Sequence, residues 1–302
     1  MSSGTEHRPH DESLADLERR PFALTRPSHQ LVPFVFAFPH SGRVYPDSFV
    51  DSSRLGATAL RRSEDAYVDE LFGSAASLGA PTIFARFPRA YLDVNRAPGE
   101  LDPTMFDGAL HMLADTTGAR VNAGLGVIPR IVRDGAEIYR SKLPAREAEE
   151  RIAKFYRPYH AALNALIEDT RREFGMAIVV DCHSMPSAAA VPDIVLGDRY
   201  GMSAANALMR GAERAFEQSA FTVARNAPYA GGYTTHLYGR PMLGIHALQI
   251  EINRALYLDE ESIERSANFA SVQTRIAEAL DTLTMVEPAL VRGPRAMRWA
   301  AE

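Results

Sequence analysis

Two histidines and one glutamate stand where chemistry could be done. The apolar run 31–38 is followed at once by Pro39-His40-Ser41-Gly42, and the run 176–180 leads directly into Asp181-Cys182-His183-Ser184. Glu251 lies inside a third run, in Gln249-Ile250-Glu251-Ile252-Asn253. Runs that are apolar on both faces read as strands buried inside a sheet. Ligands of open α/β sheets sit beyond the carboxyl ends of such strands. Two imidazoles and carboxylates gathered at one sheet edge suit Zn²⁺ with a position left open for water. Alternation puts Gln249, Glu251 and Asn253 on one face, and His246, Leu248, Ile250 and Ile252 on the other. A carboxylate in an otherwise apolar strand is costly unless paired or near a cation, which marks Glu251 as a member of the same site.

Each residue also has a plainer reading. A histidine after a strand is often an ordinary loop residue, and Glu251 could be half of an internal ion pair. Glu64 and Asp65 fall in the expected first turn of a helix, where acids complement the dipole. His246 reads as a core histidine, and His7, His10, His29, His111 and His160 read as solvent-facing. Arg86, Arg89 and Arg96 cluster in one segment. At a strand end Arg96 could grip a carboxylate with its fork of donors, although a surface ion pair would explain it equally. Cys182 and His183 do not make a nucleophile–base pair if extended, because neighbours in a strand point to opposite faces. No Gly-x-Ser-x-Gly elbow and no phosphate-binding glycine loop is present.

The elements that would position these residues alternate. Residues 1–28 read as a flexible N-terminal arm. Residues 29–285 read as a single α/β domain, and 286–302 as a C-terminal tail. After strand 31–38, the spacing of Tyr67, Val68, Leu71, Phe72, Ala75 and Leu78 predicts a helix that Gly79 stops. Strands are expected at 81–87 and 90–94. Residues 97–143 are rich in Gly, Pro and Asp without a sustained period, and a stretch this long without regular structure is usually functional or mobile; a lid over the site is a role it could take, which composition alone does not show. Pro144 opens a long amphipathic helix that Pro158 should kink and Gly175 end. Strands at 176–180, 193–197, 221–225 and 244–252 then alternate with helices at 203–218 and 259–283. The loop Gly231-Gly232-Tyr233-Thr234-Thr235-His236 precedes the last strand. This order predicts a mixed, mostly parallel central sheet flanked by helices.

Composition removes other classes. The net charge of −5 is no polyanion-binding signature, so no nucleic-acid partner is expected. One cysteine excludes a disulfide framework within the chain and a cysteine-only zinc site. No apolar stretch is long enough for a bilayer, and the N-terminus lacks the apolar core of a signal peptide. The expectation is a cytoplasmic protein with no membrane partner, monomeric or a small homo-oligomer.

Five motifs occur in order: Pro39-His40-Ser41-Gly42, Asp65-Ala66-Tyr67-Val68-Asp69, Tyr91-Leu92-Asp93-Val94-Asn95-Arg96, Asp181-Cys182-His183-Ser184 and Gln249-Ile250-Glu251-Ile252-Asn253. Over roughly residues 31–284 this set resembles the N-formylglutamate amidohydrolase (N-formylglutamate deformylase) family, and the Gly-Gly-Tyr-Thr segment is also similar. The resemblance implies a zinc-carboxypeptidase-like α/β fold. It implies metal-dependent hydrolysis of the N-formyl amide of N-formyl-L-glutamate, or a related small anionic N-acyl amino acid, at the end of histidine degradation. It assigns Zn²⁺ or another divalent ion to His40, His183 and a carboxylate. The related His-x-x-Glu motif is broken by Arg43, so the carboxylate must come from elsewhere in the chain; Asp65 is taken in preference to Glu64, with both open. By the same resemblance Glu251 is the general acid/base. Asn95 and Arg96, with Arg89 and the Gly232, Tyr233 and Thr234 segment, would hold the substrate. Another zinc amidohydrolase, deacylase or carboxypeptidase-like enzyme with a different substrate, and a non-catalytic small-anion-binding protein, are the competing readings.

Overall fold

The structure, a computed structural model, describes residues 11–110, 118–132, 135–188 and 191–286. Its central sheet has seven strands: β1 (Phe22–Thr25), β2 (Phe34–Phe38), β3 (Thr82–Ala85), β4 (Ala177–Met185), β5 (Ile194–Gly197), β6 (Val223–Arg225) and β7 (Ile245–Asn253). Their order is β1-β3-β2-β4-β7-β5-β6. The β3–β2, β2–β4, β4–β7 and β5–β6 pairs are parallel, whereas β1 and β5 run antiparallel to β3 and β7. The sheet is therefore mixed and mostly parallel, with helices against it.

Side-chain alternation divides the two central strands. Every residue of β4 and β7 is buried. Ile178, Val180 and Cys182 of β4, with Leu248, Ile250 and Ile252 of β7, enter one apolar core together with Phe34, Phe36 and Phe38 of β2. Ala177, Val179 and Ala247 face the opposite core with Val35 and Ala37. Asp181 and His183, and Gln249 and Glu251, continue that second face toward the strand ends. Each fully buried Ile, Val or Leu contributes about 1.5–3 kcal/mol, so the first face stabilises strands whose second face carries costly polar groups. His246 lies on the first face, as its parity predicts, and its Nδ1 accepts from Ala205 N at 3.2 Å.

Several local expectations change. The segment read as an arm contains a helix, Glu12–Arg19, capped by Asp11, before the edge strand β1. Residues 90–94 are a turn, not a strand: Tyr91 N and Leu92 N both bond Pro88 O, and Asp93 N bonds Val127 O. The helix expected to have Glu64 and Asp65 in its first turn begins later, as two short helices, Val68–Leu71 and Ser74–Ser77, which leaves both acids in the preceding turn. The final helix is Phe269–Thr284, preceded by a small Leu258–Asp259/Glu264–Arg265 hairpin. At Pro158 the helix is irregular rather than broken. Helix Ala145–Arg151 widens into a π-helical turn, Ile152–Tyr156, before Arg157–Phe174 resumes. The wide turn accommodates the ring and the missing N–H. Among the described residues no helix is long and apolar enough to cross a membrane. His7, His10, His111 and residues 287–302 lie outside the described residues.

His160 corrects the solvent-facing reading. It sits one turn after Tyr156 and one before Leu163, on the buried face of its helix. Its Nε2 bonds Val94 O at 2.9 Å, and its Nδ1 lies 2.8 Å from Tyr238 Oη. Burial depresses its pKa to about 4. Because the folded value lies below the ordinary 6.5, the unfolded chain binds the extra proton first as pH falls. The stability linked to neutral His160 is complete above pH 6.5 and is lost toward pH 4. Between pH 7.5 and 4.5 this amounts to about 2–3 kcal/mol. Urea unfolding at both pH values should therefore show wild type losing more stability than His160→Gln by about that amount; equal losses would refute it.

Candidate active site

His40 follows β2, His183 is the seventh residue of β4, and Asp65 is brought between them by the 62–66 turn, whose Asp65 N bonds His40 O at 2.9 Å. The three side chains form a compact triad. Asp65 Oδ2 lies 3.2 Å from His40 Nδ1 and 3.0 Å from His183 Nδ1, and the two Nδ1 atoms are 3.1 Å apart. All three residues are buried. Gly42 permits the approach of the His40 loop to the sheet, since a Cβ there would lie 2.0 Å from Phe87 O.

The outer nitrogens fix the tautomers. His40 Nε2 donates to Asp93 Oδ1 at 2.7 Å, and His183 Nε2 pairs with Asp181 Oδ2 at 2.8 Å. A carboxylate only accepts, so each Nε2 carries a proton, and in the neutral imidazole each Nδ1 turns a lone pair inward. Two lone pairs and a carboxylate oxygen thus converge within 3.2 Å, an arrangement that repels itself unless a cation or proton lies between them. Tetrahedral ligands about 2.0–2.1 Å from a common ion are themselves roughly 3.3–3.4 Å apart. The triad therefore fits a divalent metal in donor type, spacing and orientation, and the carboxylates behind both imidazoles are the partners such ligands ordinarily have.

Charge on these groups follows their neighbours. Burial disfavours the Asp65 carboxylate, but hydrogen bonds from His183 and His40 overcome it and hold its pKa well below the ordinary value. Asp93 is likewise held low against burial by His40, Arg89 and Arg96. Burial would depress His183, yet the charge and hydrogen bond of Asp181 raise it well above 6.5. Glu251 is register-paired with His183 across β4 and β7. Burial, with a further push from Asp65, raises it to about 7 against the opposing pull of His183. Its Oε1 accepts from Gln249 Nε2 at 2.6 Å.

These groups line a cavity of about 550 Å³. Its wall carries Arg62, Arg89, Arg96, Arg120 and Arg254, together with Leu125, Pro129 and Ile131 from the 97–143 segment. Arg89 Nε bonds Asp93 Oδ2 at 3.0 Å, while Arg96 Nε bonds Leu125 O at 3.0 Å and Nη1 bonds Asn95 O. Arg96 is buried, and that burial lowers its pKa below the ordinary arginine value.

The structure brings His40, Asp65, His183, Glu251, Arg89, Asn95, Arg96 and Gly232 to this cavity. It does not bring Glu64 to the histidines: Glu64 accepts from Tyr45 Oη at 2.6 Å and Arg61 Nε at 3.2 Å. Asn95 touches the wall, but its amide is engaged from behind. Nδ2 donates to Asp181 Oδ2 at 3.0 Å and also lies 3.0 Å from His183 Nε2, the nitrogen that faces Asp181, while Oδ1 accepts from Thr234 N at 2.7 Å. Gly232 packs against that amide so closely that a Cβ would lie 2.5 Å from Nδ2. Tyr233 and Thr234 are not in the lining. Thr234 is buried under Asn95, and Tyr233 packs its ring near His160.

Sequence reasoning gave Asp93, Asp181 and Arg254 no role. For Asp181 a signal existed, because residues two apart in a strand share a face and Asp181 precedes His183 by two. Asp93 lay in a stretch read as a strand. Arg254 follows the last strand and shows no pattern of its own.

A family profile for N-formylglutamate amidohydrolase matches residues 32–258. The chain is 30% identical over 242 residues to an N-formylglutamate deformylase of Pseudomonas aeruginosa, covering 76% of this chain and 84% of that protein. It is 29% identical over 241 residues to one from Pseudomonas putida, covering 76% and 83%. The crystal structure of N-formylglutamate amidohydrolase from Ralstonia eutropha JMP134 superposes with a TM-score of 0.82 at 35% identity, over 88% of this chain and 98% of that one. A gene product from Agrobacterium tumefaciens, at 18% identity and a TM-score of 0.62, shares the fold over 89% of this chain and 98% of its own.

Proposed function

The chain belongs to the N-formylglutamate amidohydrolase family, and from that premise we propose that it hydrolyses the formyl amide of N-formyl-L-glutamate to formate and L-glutamate. The observation that carries this reading is the convergence of the inward-facing His40, Asp65 and His183 donors with Glu251 in one arginine-lined cavity.

His40 Nδ1, His183 Nδ1 and Asp65 Oδ2 would hold a divalent ion, with Zn²⁺ the best match to two imidazoles and a carboxylate. Such an ion, when bound, supplies Lewis acidity toward the formyl carbonyl and acidifies water. Asp93 and Asp181 keep both imidazoles in the tautomer that presents Nδ1. Glu251 accepts a proton from the attacking water and passes it to the glutamate nitrogen as the formyl C–N bond breaks. A carboxyl group poised near 7 exchanges protons in both directions near neutral pH.

The formyl group offers little to recognise, so selectivity falls to the glutamate carboxylates. Arg96 and Arg89 stand in the wall beside the triad and present cationic donors to them. Asn95 and the Gly231–Gly232 backbone set the position of that wall. Purified protein supplied with Zn²⁺ should release formate from N-formyl-L-glutamate faster than it releases acetate from N-acetyl-L-glutamate. Arg96→Ala should raise KM more than it lowers kcat. Absence of formate release by metal-loaded protein would reject the reading. Preference for the acetyl compound would move the enzyme to the deacylases, and unchanged kinetics in Arg96→Ala would remove Arg96 from the substrate site.

A further inference from the structure

Arg254 lies in the turn just after β7 and is buried, 4% exposed. Its donors have definite addresses. Nε donates to Ser184 Oγ at 2.9 Å, Nη1 to Arg62 O at 3.3 Å, and Nη2 to Glu64 O and to Asp65 Oδ1, the latter at 3.1 Å. Ser184 Oγ in turn donates to Asp65 Oδ1 at 3.0 Å. Arg254, Ser184 and Asp65 thus close a hydrogen-bonded ring, and Asp65 Oδ1 accepts from two members of it. Only Oδ2 remains to face His40 and His183.

A carboxylate turns readily about its last torsion, which is broad and two-fold. Left alone, it can offer a cation either oxygen or both. A fork of guanidinium donors is well suited to stop that rotation. We propose that Arg254, acting with Ser184, is a positioning residue that holds Asp65 as a one-oxygen ligand aimed between the two imidazoles. The proposal rests on the reading that His40, Asp65 and His183 hold a divalent ion. The backbone contacts of Arg254 to Arg62 and Glu64 also tie the 62–65 turn to the end of β7, so a purely structural role is the competing explanation.

Metal binding without turnover separates the two. Zn²⁺ affinity of the apo protein is measured by competition with a chromophoric chelator, and the visible spectrum of the Co²⁺-loaded protein reports coordination number. Wild type comes first: if it binds neither ion, the metal reading itself fails. If it binds, Arg254→Met should weaken Zn²⁺ affinity about 10–100-fold, the range for loss of a group that orients a ligand. Its Co²⁺ absorption should weaken as the freed carboxylate coordinates through both oxygens. Arg254→Lys keeps the charge without the fork and should recover only part of the affinity. Ser184→Ala leaves the backbone contacts of Arg254 in place, and should shift affinity and spectrum in the same direction by a smaller factor. Wild-type affinity and spectrum in a folded Arg254→Met protein would overturn the proposal, even with a lowered Tm. Where Arg254→Met does not fold, Ser184→Ala decides alone, and wild-type values there overturn it.

Discussion

Glu251→Gln is expected to lower kcat on N-formyl-L-glutamate by about 10²–10⁴-fold, the usual worth of a positioned general acid/base, while metal content and Tm stay near wild type. The replacement is nearly isosteric, and Glu251 is not one of the three converging donors. Its strand neighbours Ile250 and Ile252 keep their packing on the opposite face. Folding should therefore be indifferent to the change, and so should the metal. The pH profile adds an independent readout. The ionised form is the base, so kcat/KM should rise with pH through the Glu251 titration and level off above it. Burial and Asp65 place that titration near 7, and a cation at the triad draws it lower because it favours the carboxylate. The acidic limb should thus lie below 7 in the loaded enzyme and vanish in Glu251→Gln. Turnover within a few-fold of wild type would show that the proton moves elsewhere.

That Glu251 could be picked out from sequence, and Arg254 could not, has a physical cause. Glu251, His40 and His183 announce themselves by contrast, each being a costly or reactive group placed in or just after an apolar strand. Alternation also gives the correct face for Glu251 and for His246 without any tertiary information. Asp65 has no such contrast. As sequence it is an acid before a helix, and only the resemblance raised it above Glu64. What separates the two in space is tertiary: Tyr45 and Arg61 occupy Glu64, whereas Arg254 and Ser184 occupy the far oxygen of Asp65. The same limit explains Asn95. The resemblance alone implies substrate contact for Asn95, whereas its amide bonds Asp181 and Thr234, partners at separations of 86 and 139 residues. The central strands are legible because they open on residues apolar on both faces, whereas the largely exposed edge strand β1 carries no such signal. The N-terminal helix Glu12–Arg19 was overlooked despite the Asp11 cap and the spacing of Leu14 and Leu17, because prolines nearby suggested irregular chain.

Exhaustive chelation is expected to abolish formate release, and stoichiometric Zn²⁺ to restore it. The argument starts from the inward lone pairs. With both Nε2 atoms committed to Asp93 and Asp181, His40 Nδ1, His183 Nδ1 and Asp65 Oδ2 have no donor among them while both imidazoles are neutral. Only a proton or a cation makes their 3.0–3.2 Å separations favourable. The apo protein must therefore protonate the site, and metal loading must release that proton. Lewis-acid stabilisation of the transition state is worth several kcal/mol. At about 1.4 kcal/mol per tenfold, the apo rate should fall by at least roughly two orders of magnitude. Loading should also stabilise the fold, by about 4 kcal/mol at free Zn²⁺ a thousand times Kd, equivalent to a rise in Tm of roughly 6 °C for a chain of this length. Calorimetry in two buffers of different ionisation enthalpy measures the released proton directly. Full activity after chelation would remove metal from the mechanism. Unchanged activity with a lowered Tm would make the ion structural, and Glu251 would then have to act on water unaided.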